Sequence, residues 1–165
     1  MITSGYFYVD RTGFIPVIED YGKVLLFLRP RRFGKSLLLS MLENYYDVAK
    51  ADEFERLFGQ LAVGQQPTPK HNQYLILKWD FSVINTQGTP AQMQQAIHDH
   101  LNDELDNFLR RYQDLLPYKP ELNPDNAISS LTRVLTATQG TPYDVYLLID
   151  EYDNFANEVL LHYGF

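Results

Sequence analysis

No cysteine occurs among the 165 residues, which excludes a disulfide framework, cysteine-based zinc sites and a thiol nucleophile. Long apolar runs are also missing. The longest two, 24–28 and 145–149, have five residues each, whereas roughly 18 are needed to span a bilayer. The amino terminus has neither the basic nor the apolar region of a secretion signal, so we expect a cytoplasmic protein without a membrane segment.

Glycine and proline are not enriched, with nine of each, while 45% of the residues are apolar and 14% aromatic. This composition predicts one folded domain over residues 1–165 and excludes a disordered chain. The chain also has no overall excess of basic charge. Residues 1–50 hold 7 basic and 5 acidic side chains, and residues 51–165 hold 7 basic and 16 acidic ones. A broad nucleic-acid-binding face is therefore not expected, although four of the eight residues from Arg29 to Ser36 are basic.

Apolar periodicity and turn residues predict three strands alternating with helices. The strands are expected at 24–28, buried in the centre of a sheet, at 74–81 and at 145–149. The helices are expected from Ser36, from Asp52 to a stop at Gly59, after Thr89-Pro90, and from Asn123-Pro124 to Gly140. The inward positions are predicted to be Leu38, Met41, Leu42 and Tyr45; Ile97, Leu101, Leu105, Phe108 and Tyr112; and Ile128, Leu131 and Leu135. Capping boxes are predicted for Asp52 with Glu55 and for Thr89 with Gln92.

This alternation predicts an α/β protein, with a three-layer sheet of the P-loop NTPase type flanked by helices. Three strands are few for such a sheet, so we expect it to be incomplete at the carboxyl terminus, where residues 154–165 favour a short helix. An incomplete sheet would expose an apolar edge beside 24–28 or 145–149. Such an edge favours self-association.

A glycine, lysine and serine at positions 34 to 36, between the first predicted strand and its helix, match the end of the phosphate-binding loop GxxxxGK[ST]. Backbone amides and the positive helix end would hold phosphate oxygens. Lys35 would reach the β- and γ-phosphates, and Ser36 would bind Mg²⁺. The first glycine of the pattern is replaced by Arg29. The alternative interpretation is a solvated basic turn.

Asp150 and Glu151 follow the apolar run 145–149, at the carboxyl end of a predicted parallel strand, where ligands of α/β sheets bind. In this interpretation Asp150 holds Mg²⁺ and Glu151 polarises the attacking water. The alternative is that Asp150 only caps the strand. Asp153 is expected to be solvated.

We expect the remaining candidate site residues to have structural roles. Asp80 is expected to be a turn residue that ends its strand. His98 and His100 are expected to be surface histidines, because positions i and i+2 of a helix face different directions. Trp79 and the aromatic residues 6–8 are expected in the core.

Three segments together resemble the predicted AAA-ATPase-like family. They are Tyr8-Val9-Asp10-Arg11-Thr12, then Arg29-Pro30-Arg31-Arg32-Phe33-Gly34-Lys35-Ser36-Leu37, and then Leu148-Ile149-Asp150-Glu151-Tyr152-Asp153. Family members have similar segments in this order, with a lysine where this chain has Arg11. The resemblance implies a P-loop ATPase fold that binds Mg-ATP. It places residues 29–37 on the nucleotide, Lys35 and Ser36 on phosphate and metal, and Asp150 and Glu151 on metal and water. It also implies further strands and often a nuclease-like domain after the Asp-Glu pair.

The leading hypothesis is therefore a Mg²⁺-dependent ATPase. A second hypothesis is a nucleotide-binding module that does not hydrolyse ATP. A third, weaker one is a nucleic-acid contact through the arginine-rich stretch, since Arg and Lys neutralise backbone phosphates in any sequence context.

Overall fold

The computed structural model describes residues 9–28, 33–84 and 87–153. These residues form two compact units, the first ending at Tyr74 and the second beginning at Leu75. The chain combines α-helices with a two-stranded parallel sheet and is a mixed α/β protein. Its helices are α1 (Ile15–Asp20), α2 (Lys35–Tyr46), α3 (Phe54–Phe58), α4 (Ala62–Gln65), α5 (Pro90–Arg111) and α6 (Ala127–Thr138); its strands are β1 (Tyr74–Asp80) and β2 (Asp144–Asp150). Three short 3₁₀ helices cover Thr12–Phe14, Val48–Glu53 and Phe81–Val83.

The first unit is built around an aromatic cluster. The Tyr45 ring lies 5.1 Å from that of Tyr46 and 5.4 Å from that of Phe58, both edge to face. The rings of Phe54 and His71 extend the cluster, 4.8 Å apart. Edge-to-face pairs add to the free energy of simple burial, so this cluster fixes the carboxyl end of α2 against α3.

In the second unit, β1 and β2 pair with each other and helices α5 and α6 pack together. The predicted inward face of α5 is largely confirmed, because Leu105, Phe108 and Tyr112 are buried. The Tyr112 hydroxyl accepts a 2.8 Å hydrogen bond from the Ile76 backbone amide. This bond ties the carboxyl end of α5 to β1.

The amino end of α5 is also as predicted. Thr89 and Gln92 form the expected capping box, and Pro90 occupies the first turn. The box satisfies two backbone amides that a helix start otherwise leaves without partners. The predicted cap of Asp52 with Glu55 is wrong, because α3 begins only at Phe54 after a 3₁₀ helix whose cap is Asp47.

The strand predicted at 24–28 is not formed. These five residues belong to no strand and are exposed, Val24 to 91%. An apolar run indicates that burial is favourable, but a strand also needs neighbours that complete its hydrogen-bond ladder. Among the described residues the sheet consists of β1 and β2 alone, and this run pairs with neither.

The predicted inward face of α6 is also wrong. Ile128 is 64% exposed and Leu135 is exposed as well, whereas Ala127, Ser130, Val134 and Ala137 are buried. Helix α6 packs against α5, and the buried residues of α6 are mostly small. The sequence pattern instead predicts that the large apolar residues Ile128, Leu131 and Leu135 face inward.

The interpretation of His98 as a surface histidine is a further error. His98 is partly buried, and its Nδ1 accepts a 3.2 Å hydrogen bond from the Ala127 amide. An imidazole of α5 therefore caps the first residue of α6. Asn102, one turn further along α5, donates a 2.9 Å hydrogen bond to the Asn123 carbonyl in the turn before α6.

Candidate functional site

The start of α2 is marked by a glycine in the left-handed region. Gly34 immediately precedes the helix with φ 79° and ψ 25°, in the left-handed region. Non-glycine residues adopt this region at a cost. A Cβ atom at Gly34 would meet no protein atom within 4 Å. The glycine is therefore needed for its backbone conformation and not because the fold lacks room.

Lys35 and Ser36 are the first two residues of α2, and the helix is three turns long. Lys35 is partly buried, and Ser36 is exposed. The first amides of a helix lack intrahelical partners, and the aligned peptide dipoles make this end positive. A lysine and a hydroxyl thus lie at the helix end that favours anions.

The far end of α2 is held firmly. Leu42, Tyr45 and Tyr46 are buried, and the Tyr46 hydroxyl donates a 3.0 Å hydrogen bond to the Glu19 carboxylate. Thr68 donates a second hydrogen bond to the same carboxylate oxygen, at 2.8 Å. Because its other end is anchored to α1 and to the loop after α4, the orientation of α2 is fixed within the first unit.

The other predicted loop positions divide into two groups. Arg29, Pro30, Arg31 and Arg32 lie outside the described residues. Phe33 and Leu37 are both exposed, so neither contributes to the core.

The second predicted motif lies at the carboxyl end of β2. Asp150 is the last residue of the strand and is only 6% exposed. One of its carboxylate oxygens accepts a 3.0 Å hydrogen bond from the Glu151 amide. The position at a strand end is as predicted, and the burial exceeds what a simple surface cap would need.

Glu151 has φ 53°, in the left-handed region that residues with a side chain rarely occupy. Such conformations cost about 1–3 kcal/mol and are concentrated at functional sites. The side chain of Glu151 is partly exposed. A carboxylate that solvent can reach therefore follows a buried one on a strained backbone.

The turn after β1 contributes to the surroundings of this motif. The 3₁₀ helix Phe81–Val83 contacts β2. Asp80 caps it by accepting a 3.0 Å hydrogen bond from the Ser82 amide, which confirms Asp80 as a turn residue. His100 of α5 lies beside Phe81 with ring centroids 6.2 Å apart and is partly buried, so it is not a fully exposed histidine. Asp153 is partly buried and not fully solvated.

The segment Asp10 to Thr12 has a structural role that the sequence analysis missed. The Asp10 carboxylate accepts hydrogen bonds from the Thr12 amide (2.9 Å), the Thr12 hydroxyl (2.7 Å) and the Ala62 amide (2.7 Å). The Thr12 hydroxyl accepts one from the Val63 amide at 3.1 Å. Leu61 precedes α4 and makes no side-chain cap. Asp10 and Thr12 therefore cap α4 from a distant part of the chain.

These bonds also change the acidity of Asp10. Partial burial alone would raise the pKa of its carboxyl group, but the hydrogen bonds from Ala62 and Thr12 outweigh that effect and hold the pKa below its usual value of 3.8. An aspartate and a threonine two residues apart are a recognisable turn signal. Their partners, some fifty residues away in sequence, could not be recognised in the same way.

Other features of the described residues are negative. No group of three or more histidine, aspartate or glutamate side chains there is arranged to hold a metal ion. Nor does that part of the chain contain a helix long and apolar enough to cross a membrane.

A cavity of about 410 Å³ lies between the carboxyl end of α6 and the amino end of β2, at the opposite end of the strand from Asp150.

These observations describe a mixed α/β chain with a glycine, a lysine and a serine at a helix start and an acidic pair at a strand end. Comparison with protein families gives its family. The family described as Predicted AAA-ATPase matches residues 1–164, so the chain belongs to that family. No curated protein and no solved structure matches the chain.

Proposed function

We propose that this chain binds ATP together with Mg²⁺ and hydrolyses the bond between the β- and γ-phosphates. The observation that carries the proposal is the start of α2, where Gly34 takes the left-handed conformation directly before Lys35 and Ser36. Membership of the predicted AAA-ATPase family supports it. We also propose that the fold is a three-layer sheet of P-loop type, in which Gly34–Ser36 and Asp150–Glu151 act as the two Walker motifs.

Each residue has a distinct role in this proposal. Backbone amides at the start of α2 and the Lys35 ammonium group bind phosphate oxygens. Residues 29–33 and Leu37 complete the surroundings of the phosphates. The Ser36 hydroxyl and the Asp150 carboxylate are hard oxygen ligands of the kind that Mg²⁺ prefers. Bound Mg²⁺ would neutralise charge that builds on the phosphate oxygens.

Glu151 is proposed to accept a proton from the attacking water. Its partial exposure allows water to reach the carboxylate, and the left-handed backbone holds it just beyond the strand end. Asp150 is buried and already accepts an amide hydrogen bond, so it is suited to a fixed position and not to proton transfer. The two neighbouring carboxylates thus differ in role because they differ in environment.

Binding and turnover are tested separately. Lys35→Ala should weaken Mg-ATP binding in calorimetry by at least about tenfold, because a charge-assisted contact contributes about 1.5–3 kcal/mol. Lys119→Ala is the matched control, since it removes an exposed lysine whose ion pair lies on the surface and is worth little. Equal ATP affinity of Lys35→Ala and wild type would refute the assignment of the phosphate site.

Glu151→Gln should leave Mg-ATP binding intact and lower phosphate release by roughly 10²–10⁴-fold, the usual contribution of a general base. Glu121→Gln is the matched control at an exposed position. If wild type binds Mg-ATP but releases no phosphate, the chain is a nucleotide-binding module without hydrolysis, and the catalytic part of the proposal fails.

A further inference from the structure

Helix α5 carries an imidazole nitrogen that the proposed mechanism does not use. His100 is partly buried, and its Nε2 is shielded from solvent and makes no hydrogen bond to any residue that the structure describes. A buried polar atom without a hydrogen-bond partner is destabilising, and such atoms are rare in folded proteins. His100 therefore holds an unused hydrogen-bonding atom inside the second unit.

Two contacts fix the level of His100 along the sheet. At the carboxyl end of α5 the Tyr112 hydroxyl bonds to the Ile76 amide. Twelve residues earlier, the His100 ring lies 6.2 Å from the ring of Phe81. Twelve helical residues span about 18 Å, and the five strand residues from Ile76 to Phe81 span about 17 Å. Helix α5 therefore runs antiparallel to β1, and His100 lies at the carboxyl end of that strand.

The carboxyl end of β1 lies beside the end of β2 that carries the acidic pair. The two strands are parallel, so their last residues, Asp80 and Asp150, are at the same edge of the sheet. The 3₁₀ helix Phe81–Val83, which supplies the ring beside His100, contacts β2. His100 and Glu151, the residue after Asp150, therefore belong to one edge of the second unit.

Glu151 is better suited than Asp150 to accept a hydrogen bond from His100. Asp150 is buried and held by an amide hydrogen bond, and Nε2 makes no bond to it. In a continued strand Glu151 would share the exposed face of Leu147 and Ile149. Its left-handed backbone ends this alternation, and its side chain is partly buried. The longer glutamate side chain can also change rotamer when the site is occupied.

We propose, on the basis of the proposed function, that His100 is a positioning residue for Glu151. With ATP bound, Nε2–H donates a hydrogen bond to one oxygen of the Glu151 carboxylate, and the other oxygen faces the attacking water. The direction of this carboxylate matters because a misplacement of about 1 Å can lower a rate by about 10²-fold. His100 does not touch the nucleotide, so it affects turnover and not ATP binding.

Three variants of the full chain separate the hydrogen bond from the packing of the ring. His100→Phe keeps a ring beside Phe81 but has no nitrogen. His100→Gln carries an amide nitrogen near the position of Nε2, whereas His100→Asn carries one near the position of Nδ1. Phosphate release should fall by at least about tenfold in His100→Phe and His100→Asn and should be largely kept in His100→Gln. Calorimetry should give the same Mg-ATP affinity for all three variants and wild type.

A purely structural role of His100 predicts another order. His100→Phe would then be the most active variant, because it keeps the packing against Phe81 and removes a buried nitrogen that lacks a partner. Circular dichroism melting shows whether each variant is folded. Phosphate release by His100→Phe at the wild-type rate, or equal rates for His100→Asn and His100→Gln, would overturn the role of His100 while the proposed function stands.

A double variant tests whether His100 acts through Glu151. In a Glu151→Gln background, His100→Phe should lower phosphate release no further, because two residues that act as a unit are not additive. A further tenfold loss would mean that His100 acts independently of Glu151 and would overturn the proposal. A wild type that releases no phosphate would overturn the proposed hydrolysis itself, and the role of His100 with it, so the two failures are distinguishable.

Discussion

Glu151 occupies a backbone conformation that is costly for a residue with a side chain. Its φ of 53° is a conformation that glycine adopts without penalty. No glycine stands at this position, although it would relieve the strain. Selection for the carboxylate therefore accounts for the residue better than selection for stability, as is common at functional sites.

We expect Glu151→Gly to raise the free energy of unfolding by about 1 kcal/mol while it removes ATP hydrolysis. Urea denaturation measures the first effect, and phosphate release measures the second. Glu151→Ala is the informative comparison, because it also removes the carboxylate but keeps a Cβ atom. If glycine is no more stable than alanine at this position, the backbone is not strained.

At the scale of elements, the short helix α4 depends on a cap supplied from far away in the sequence. Its first amides are bound by Asp10 and Thr12, and the residue before it, Leu61, has no side chain able to accept a hydrogen bond. Helices of four residues do not persist alone in water. The Asp10–Thr12 segment is therefore what keeps α4 in place.

The lowered pKa of Asp10 makes this cap sensitive to pH. A carboxyl group whose pKa is depressed on folding stabilises the fold above its unfolded pKa, and this stabilisation is lost as pH falls through the folded value. Asp10→Ala should cost about 1 kcal/mol at pH 7, the usual worth of a cap. The cost should shrink as the pH falls below 3.8, the usual pKa of the group.

Urea denaturation of wild type and Asp10→Ala at neutral and acid pH measures this change. Asp114→Ala, at an exposed aspartate in the turn after α5, is the matched control and should show little effect at either pH. A difference between wild type and Asp10→Ala that is the same at both pH values would contradict the cap.

Local signals in the sequence predicted local structure well. Helix α2, the capping box of α5 and strands β1 and β2 are where periodicity and turn residues indicated them. The predictions that proved wrong concern how an element packs against its neighbours in the fold. The run 24–28 does not join β1 and β2 in the described sheet, and α6 buries Ala127 and Val134 in place of Ile128. Both outcomes depend on what packs against an element, and that information is not contained in the element's own residues.

The candidate site likewise has some features that local sequence predicts and others that depend on the folded chain. The glycine, lysine and serine at a helix start, and the acidic pair at a strand end, could be predicted from their spacing, but the left-handed conformation of Gly34 was not predicted. The burial of Asp150, the strain at Glu151 and the Asp10–Thr12 cap depend on the folded chain.

At the scale of the whole molecule, a ligand that binds the proposed site must increase the stability of the folded chain. Any ligand that binds only the folded chain raises the free energy of unfolding by an amount fixed by its concentration and dissociation constant. At a hundred times the dissociation constant this is about 2.7 kcal/mol. For a chain of this size each kcal/mol corresponds to roughly 2–4 °C in Tm.

Mg-ATP should therefore raise the Tm of wild type by several degrees, measured by calorimetry or intrinsic fluorescence. ATP with a chelator should give a smaller shift, because we propose that the nucleotide binds together with Mg²⁺. Lys35→Ala should show almost no shift, whereas Lys119→Ala should respond like wild type. A shift that persists in Lys35→Ala would mean that ATP binds elsewhere on the chain, since stabilisation requires binding to the folded state but not at any particular site.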